Sequence, residues 1–129
     1  MNIVEYNVID RYLKKRIQIL LNNDTNFGFM IPNKLENSKI ISIQNNVGQF
    51  LGFAYVVLNK NSLEISTLYI SKEYRGKGLG SILLNYIDMK YLQYYKTCLP
   101  MEGNGLKEML SKYGWKTNSN TSSLFKLAS

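Results

Sequence analysis

The chain has 129 residues, 45% of them apolar and 19% charged, with a net charge of +7 and no histidine. That balance fits one globular domain, expected over residues 1–129 and mixed α/β from the element order below, with chain enough to bury a core without metals or disulfides. It excludes a disordered chain, an internal disulfide (Cys98 stands alone) and every histidine-based triad, dyad or proton shuttle.

No apolar run approaches the length of a membrane span, so no membrane partner is expected. The opening stretch "MNIVEYNVIDRYLKK" lacks the basic-then-apolar layout of a secretory signal, and a lone thiol suits a reducing compartment. A cytoplasmic location is the expectation. The positive balance favours an anionic partner: nucleic acid, an acidic protein face or a phosphorylated cosubstrate. The cations are scattered, with tight pieces only at "RYLKKR" (11–16) and at Arg75 and Lys77. A nucleic-acid module needs clustered cations and exposed aromatics, whereas most of the ten tyrosines fall on apolar stripes, so nucleic acid is not expected as a partner.

In chain order, Ile9, Tyr12, Leu13, Ile17, Leu20 and Leu21 recur at helical spacing and predict a helix over 8–21. Asn7 is its expected N-cap, with Asp10 in the first turn. The loop 21–33 carries Phe27, Phe29 and Met30, which either cover the core or line a cleft; core cover is the reading taken. The runs 39–44, 49–58 and 63–71 are β-branched and aromatic, joined by Asn- and Gly-containing turns, and predict an antiparallel three-strand meander. From Leu79 the period becomes helical through Tyr95, with a stripe of Leu79, Ile82, Leu83, Tyr86, Ile87, Tyr91 and Tyr94. A strand over 95–101, a short helix over 106–113 closed by Gly114, and a hairpin built from "WKT" and "SSLFKLA" complete the order. The free edge of that hairpin offers a second copy a surface to pair with, as in a homodimer.

The stretch "STLYISKEYRGKGLGSILLNYI" (66–87) joins the third strand to the second helix through glycines at 76, 78 and 80. A helix N-terminus presents amides with no intrahelical partner and the positive end of its dipole, and glycine lets the backbone approach an anion closely. Arg75 and Lys77 add charge to the same place. The spacing is neither that of a P-loop, which needs a terminal Gly-Lys-Ser/Thr, nor the dinucleotide G-x-G-x-x-G. It fits R/Q-x-x-G-x-G/A, as Arg75-Gly76-Lys77-Gly78-Leu79-Gly80, after an apolar strand and before an amphipathic helix.

This pattern resembles motif A of the GNAT superfamily of N-acetyltransferases, and the inferred element order is similar to the GNAT layout over most of the chain. The resemblance implies acetyl-CoA as cosubstrate, with Arg75, Gly76, Lys77, Gly78, Leu79, Gly80 and Ser81 around its pyrophosphate. It implies that Leu68, Tyr69 and Ile70 pair with the pantetheine arm as an added strand, the Leu68 N–H facing the thioester carbonyl. No metal enters this chemistry.

The implied reaction is direct attack of a neutral primary amine on the thioester in a ternary complex, which needs a group to take the amine proton. Glu64 lies eleven positions before Arg75 (64 to 75), the spacing of the glutamate base in the histone-acetyltransferase-like members. Strand alternation would put Glu64 on one face with Ser66 and Leu68; the competing reading is an exposed carboxylate. Many members use a tyrosine four residues before a terminal Gly-Phe as general acid. Here the ending is Gly114-Trp115 and the matching position is Leu110, a departure from the pattern, with Tyr113 one turn further on as a substitute acid or as core packing. Asn104 resembles the asparagine that opens this segment, one residue out of register. Cys98 reads as a small core residue, since nothing nearby in sequence lowers its pKa. An alternative from another class is a non-catalytic GNAT-fold domain that binds CoA or a protein as a regulator. The acceptor amine has no recognisable code.

Overall fold

The computed structural model describes residues 1–22, 24, 27–100 and 105–129. The three expected meander strands form as β2 (Ser38–Gln44), β3 (Phe50–Asn59) and β4 (Ser62–Ile70), antiparallel in sequence order. β2 is buried at all positions but one because both of its faces are covered. A two-residue turn at Lys60 and Asn61 joins β3 to β4. One strand was not expected: β1 (Asn2–Tyr6) adds antiparallel to β2, supplying the partner that β2 would otherwise lack at that edge. β5 (Tyr95–Cys98) lies parallel to β4, and β7 (Leu124–Lys126) and β6 (Lys116–Thr117) follow, giving the order β1-β2-β3-β4-β5-β7-β6.

Helices cover both faces of this sheet. On one, α1 (Arg11–Leu21) buries Leu13, Ile17 and Leu20 against Ile40, Phe50, Phe53 and Tyr69. On the other, α2 (Leu79–Lys90) and α3 (Leu106–Lys112) set Leu83, Leu84, Ile87 and Leu110 against Ile41, Ala54, Val56, Leu63 and Ile65. The architecture is the expected mixed α/β one, with helix, meander, helix, strand, helix and hairpin in the expected order.

Local details differ from the sequence reading. Asp10, not Asn7, caps α1: its extended backbone lets the carboxylate accept from Leu13 N–H at 2.8 Å. Tyr12 belongs to the exposed side of α1, where Arg16 stacks on its ring, so the apolar stripe is narrower than the spacing suggested. α2 stops at Lys90, and Tyr91 and Tyr94 pack on the core from the turn that follows. β5 ends at Cys98. Proline at 100 has no N–H to extend a ladder. Phe27 and Phe29 do pack on the α1-side core, against Tyr69 and Phe53, while Met30 is exposed.

A β-bulge in β4 decides which side chains share a face. Tyr55 pairs with Thr67 but the next residue, Val56, pairs with Ile65, so Ser66 is the extra residue. Before it, Leu63 and Ile65 face α2; after it, Leu68 does, and Tyr69 faces α1. Glu64, opposite Val57, therefore shares its face with Thr67 and Tyr69 and not with Leu68, which corrects the alternation expected from sequence.

Candidate active site where two parallel strands part

β4 and β5 are bonded only from Ser62–Tyr95 to Ile65–Cys98. Beyond Ile65, β4 keeps its β3 partner and, among the described residues, has no other. Which backbone groups then face the opening follows from two bonds. Ser71 N–H donates to Leu51 O on the β3 side, at 2.9 Å. Ile70 O points the other way, where Arg75 Nε donates to it at 2.8 Å. By alternation the N–H and C=O of Leu68 also face the open side. The result is half a strand whose edge has no strand partner among the described residues, the geometry that accepts an extended ligand by backbone pairing.

That edge runs up to the glycine-rich turn. After a 3-10 turn at Lys72–Tyr74, Gly76 and Gly78 adopt φ of +77° and +83°, a left-handed conformation that favours glycine. Gly78 is the N-cap of α2 and offers no side chain to its first amides. The first helical bond here runs from Ile82 N–H to Gly78 O, so the amides of Leu79, Gly80 and Ser81 lie ahead of it. Among the described residues a Cβ on Gly76 or Gly78 would meet nothing within 4 Å, so these residues leave open space in front of them. Gly80 instead allows close packing, its hypothetical Cβ lying 3.5 Å from Met109 Sδ on α3. The cleft bounded by the β4 edge, this turn and α3 has a volume of about 800 Å³. Leu68, Tyr69, Ile70, Arg75, Gly76, Gly78, Leu79, Gly80 and Ser81 all line it, together with Leu106, Glu108, Met109 and Lys112. Open space, backbone donors and a positive dipole fit a diphosphate.

Sequence reasoning missed Asp24. It sits in the segment between α1 and β2, is 6% exposed, and lines the cleft. Tyr69 Oη donates to Asp24 Oδ2 at 3.2 Å and Arg75 Nη2 to the same oxygen at 3.0 Å, with Lys72 Nζ 3.8 Å from Oδ1. Burial pushes the Asp24 carboxyl upward, but the Arg75 hydrogen bond, the Lys72 charge and the Tyr69 hydroxyl outweigh it, so its pKa falls below the usual carboxylate value. Burial and then the Asp24 charge push the Tyr69 phenol above its ordinary value, which keeps it a donor. Nothing in a lone Asp within "NNDTN" signals this role; only the folded loop brings it to β4.

The family comparison agrees with this geometry. Residues 36–119 match the family model described as the acetyltransferase (GNAT) domain. The chain belongs to the GNAT family. No curated protein matches it in sequence. Among solved structures, Escherichia coli YhhK bound to coenzyme A superposes with a TM-score of 0.74 at 13% identity, covering 98% of each chain. The ribosomal-protein-S18-alanine N-acetyltransferase of Escherichia coli gives 0.74 at 10% identity, over 96% of this chain and 91% of that one. An aminoglycoside 6'-N-acetyltransferase complexed with coenzyme A gives 0.66 at 17% identity, over 98% and 96%. At these identities the likeness is one of fold, and it shows the α/β architecture to be that of GNAT acyltransferases.

The other candidate residues of the GNAT reading are placed less uniformly. Glu64 is exposed, one residue before the last β4–β5 pair, and is not among the residues lining the cleft. Lys77 is exposed, with its Nζ 5.4 Å from the centre of the Tyr74 ring. Tyr113 ends α3 and packs against the core cluster, outside the cleft wall. Leu110 is fully buried in that core. Asn104 lies outside the described residues. Cys98 is buried, and desolvation followed by the Glu64 charge pushes its thiol from 9.0 to about 12, which keeps it protonated and un-nucleophilic.

Proposed function

We propose that this GNAT protein is an N-acetyltransferase that moves an acetyl group from acetyl-CoA to a primary amine in a ternary complex. One observation carries the reading: the unpaired edge of β4 leads directly to an open, glycine-lined helix N-terminus. A pantetheine arm lying on the edge would pair with Leu68 and Ile70 while the diphosphate meets the amides of Leu79, Gly80 and Ser81. Coenzyme A in two of the structures of similar fold supports a CoA-type cosubstrate.

In the proposed reaction the amine nitrogen attacks the thioester carbonyl, and the Leu68 N–H stabilises the oxyanion that forms. Glu64, beside the point where β4 and β5 part, takes the amine proton. The C–S bond then breaks, and the thiolate takes a proton from solvent, since Leu110 is in the core and Tyr113 packs away from the cleft. Those two placements also favour a second reading, a GNAT domain that binds CoA without turnover.

The fold alone does not select an acceptor: structures of similar fold include an enzyme named for a ribosomal-protein alanine and another named for aminoglycosides. The test is thermal stabilisation by CoA and acetyl-CoA, followed by transfer assays with spermidine, kanamycin and an unblocked alanyl tripeptide. Stabilisation with turnover is expected. Stabilisation without turnover favours the second reading, and no stabilisation overturns both.

A further inference from the structure

Arg75 is already engaged in a way that competes with the proposed cosubstrate. Its Nε occupies the Ile70 carbonyl on the free edge at 2.8 Å, and its Nη2 holds Asp24 Oδ2 at 3.0 Å. The two partners differ in freedom. The Arg75 side chain is 48% exposed and can swing, whereas that of Asp24 is 7% exposed and is held by Tyr69 as well. A buried carboxylate beside a diphosphate site repels the ligand when free, and when paired it withholds a cation from it.

We infer that Asp24 is a positioning residue that restrains Arg75 until a diphosphate claims the guanidinium, and that the carboxylate so released then recognises a cationic amine acceptor. This rests on the proposed function and assigns an order and an acceptor class to the same cleft. The exchange is driven by charge and shape: a diphosphate offers several oxygens to the planar guanidinium and gains the α2 amides besides, while Asp24 presents one oxygen to it. Once Arg75 has turned away, Asp24 retains the Tyr69 hydroxyl and the exposed Lys72 at 3.8 Å. A desolvated carboxylate that has lost its main partner is costly, and an ammonium restores the balance. The acceptor thus enters protonated and docks after the cosubstrate; Glu64 takes its ammonium proton before attack, and the second N–H proton leaves to solvent as the C–S bond breaks. No bond is made or broken in the exchange.

If Asp24 merely oriented Arg75 toward phosphate, removing its charge would weaken cosubstrate binding; restraint predicts the opposite sign. The experiment is CoA affinity by calorimetry in wild type, Asp24→Asn, Arg75→Gln and the double variant. Asp24→Ser serves if the Asn variant does not fold. Asp24→Asn is expected to bind CoA about two- to fivefold more tightly, the change that a half-exposed ion pair is worth. Unchanged or weaker binding by the folded variant overturns the restraint. So does an equal tightening in the Arg75→Gln background, since loss of repulsion alone would then explain it. With whichever of spermidine, kanamycin or the tripeptide is turned over, Asp24→Asn is expected to raise the amine KM about thirtyfold or more, against a smaller change in kcat, by analogy with a lost buried charge pair. An unchanged KM overturns the acceptor half. Wild type that binds no CoA at all defeats the proposed function instead.

Discussion

The two halves of β4 are made of similar residues and do opposite things. From Ser62 to Ile65 the strand is bonded on both sides, with Leu63 and Ile65 sealed in the core. From Ser66 to Ile70 it is bonded, among the described residues, to β3 alone, and its other edge borders the cleft. Composition does not separate them. The difference is made by the bulge at Ser66, which re-aims the side chains, and by the end of β5 at Cys98, which takes away the second partner. An unpaired edge is ordinarily a hazard; here α3, Asp24 and Phe27 line the same cleft and stand between it and another sheet.

The contrast can be broken from its stable side first. Leu63→Ala, in the fully buried lower half, is expected to cost about 2–5 kcal/mol in denaturant unfolding while the folded fraction keeps its CoA affinity. Glu64→Gln, near the upper limit of that half, is expected to lower kcat about a hundredfold with CoA affinity unchanged, as loss of a general base does. An unaffected kcat would move the proton acceptor elsewhere. Gly52→Ala tests the upper half from behind: a Cβ there would stand 2.5 Å from the Tyr69 carbonyl oxygen. The expected result is about 1–3 kcal/mol of lost stability, together with weakened CoA binding, because the displaced backbone is the ligand edge itself.

Gly78→Ala sharpens the comparison at the end of the edge. Its φ of +83° costs an L-residue about 1–2 kcal/mol, although the Cβ has room. A modest loss of melting temperature is expected, with a disproportionate loss of CoA affinity as the α2 amides re-aim. The smallest effect belongs to Cys98 on the last bonded rung. With its thiol pushed up to about 12, the native protein is expected to resist iodoacetamide at pH 8, whereas the unfolded chain reacts. Rapid native alkylation would show that rung to open.

Much of this was legible along the chain. Three strands and their turns follow from β-branched runs and Asn- and Gly-containing connections, and the two flanking helices from apolar spacing. The glycine pattern 76, 78, 80 marks, along the chain, residues that line the cleft. What failed did so for physical reasons. β1 is five residues that acquire their meaning from β2, a partner more than thirty positions away. The face of Glu64 was misjudged because one unpaired residue reverses alternation, and a bulge has no signature in "LEISTLY". The cap of α1 fell to Asp10 and not Asn7, since several polar residues ahead of a helix compete and the backbone angle decides among them.

By itself the sequence determined three of the strands and the helices around them, where glycines leave a helix N-terminus uncovered, and, through the absence of histidine, which chemistries are closed to it. Those are local properties: periodicity, glycine freedom and side-chain type act within a turn or two of chain. Only the tertiary structure decided that β4 and β5 part after Ile65 and that Asp24 meets Arg75 across fifty-one positions. Strand pairing and the pairing of a buried charge depend on what the rest of the fold brings alongside, and no window of neighbouring residues contains that information.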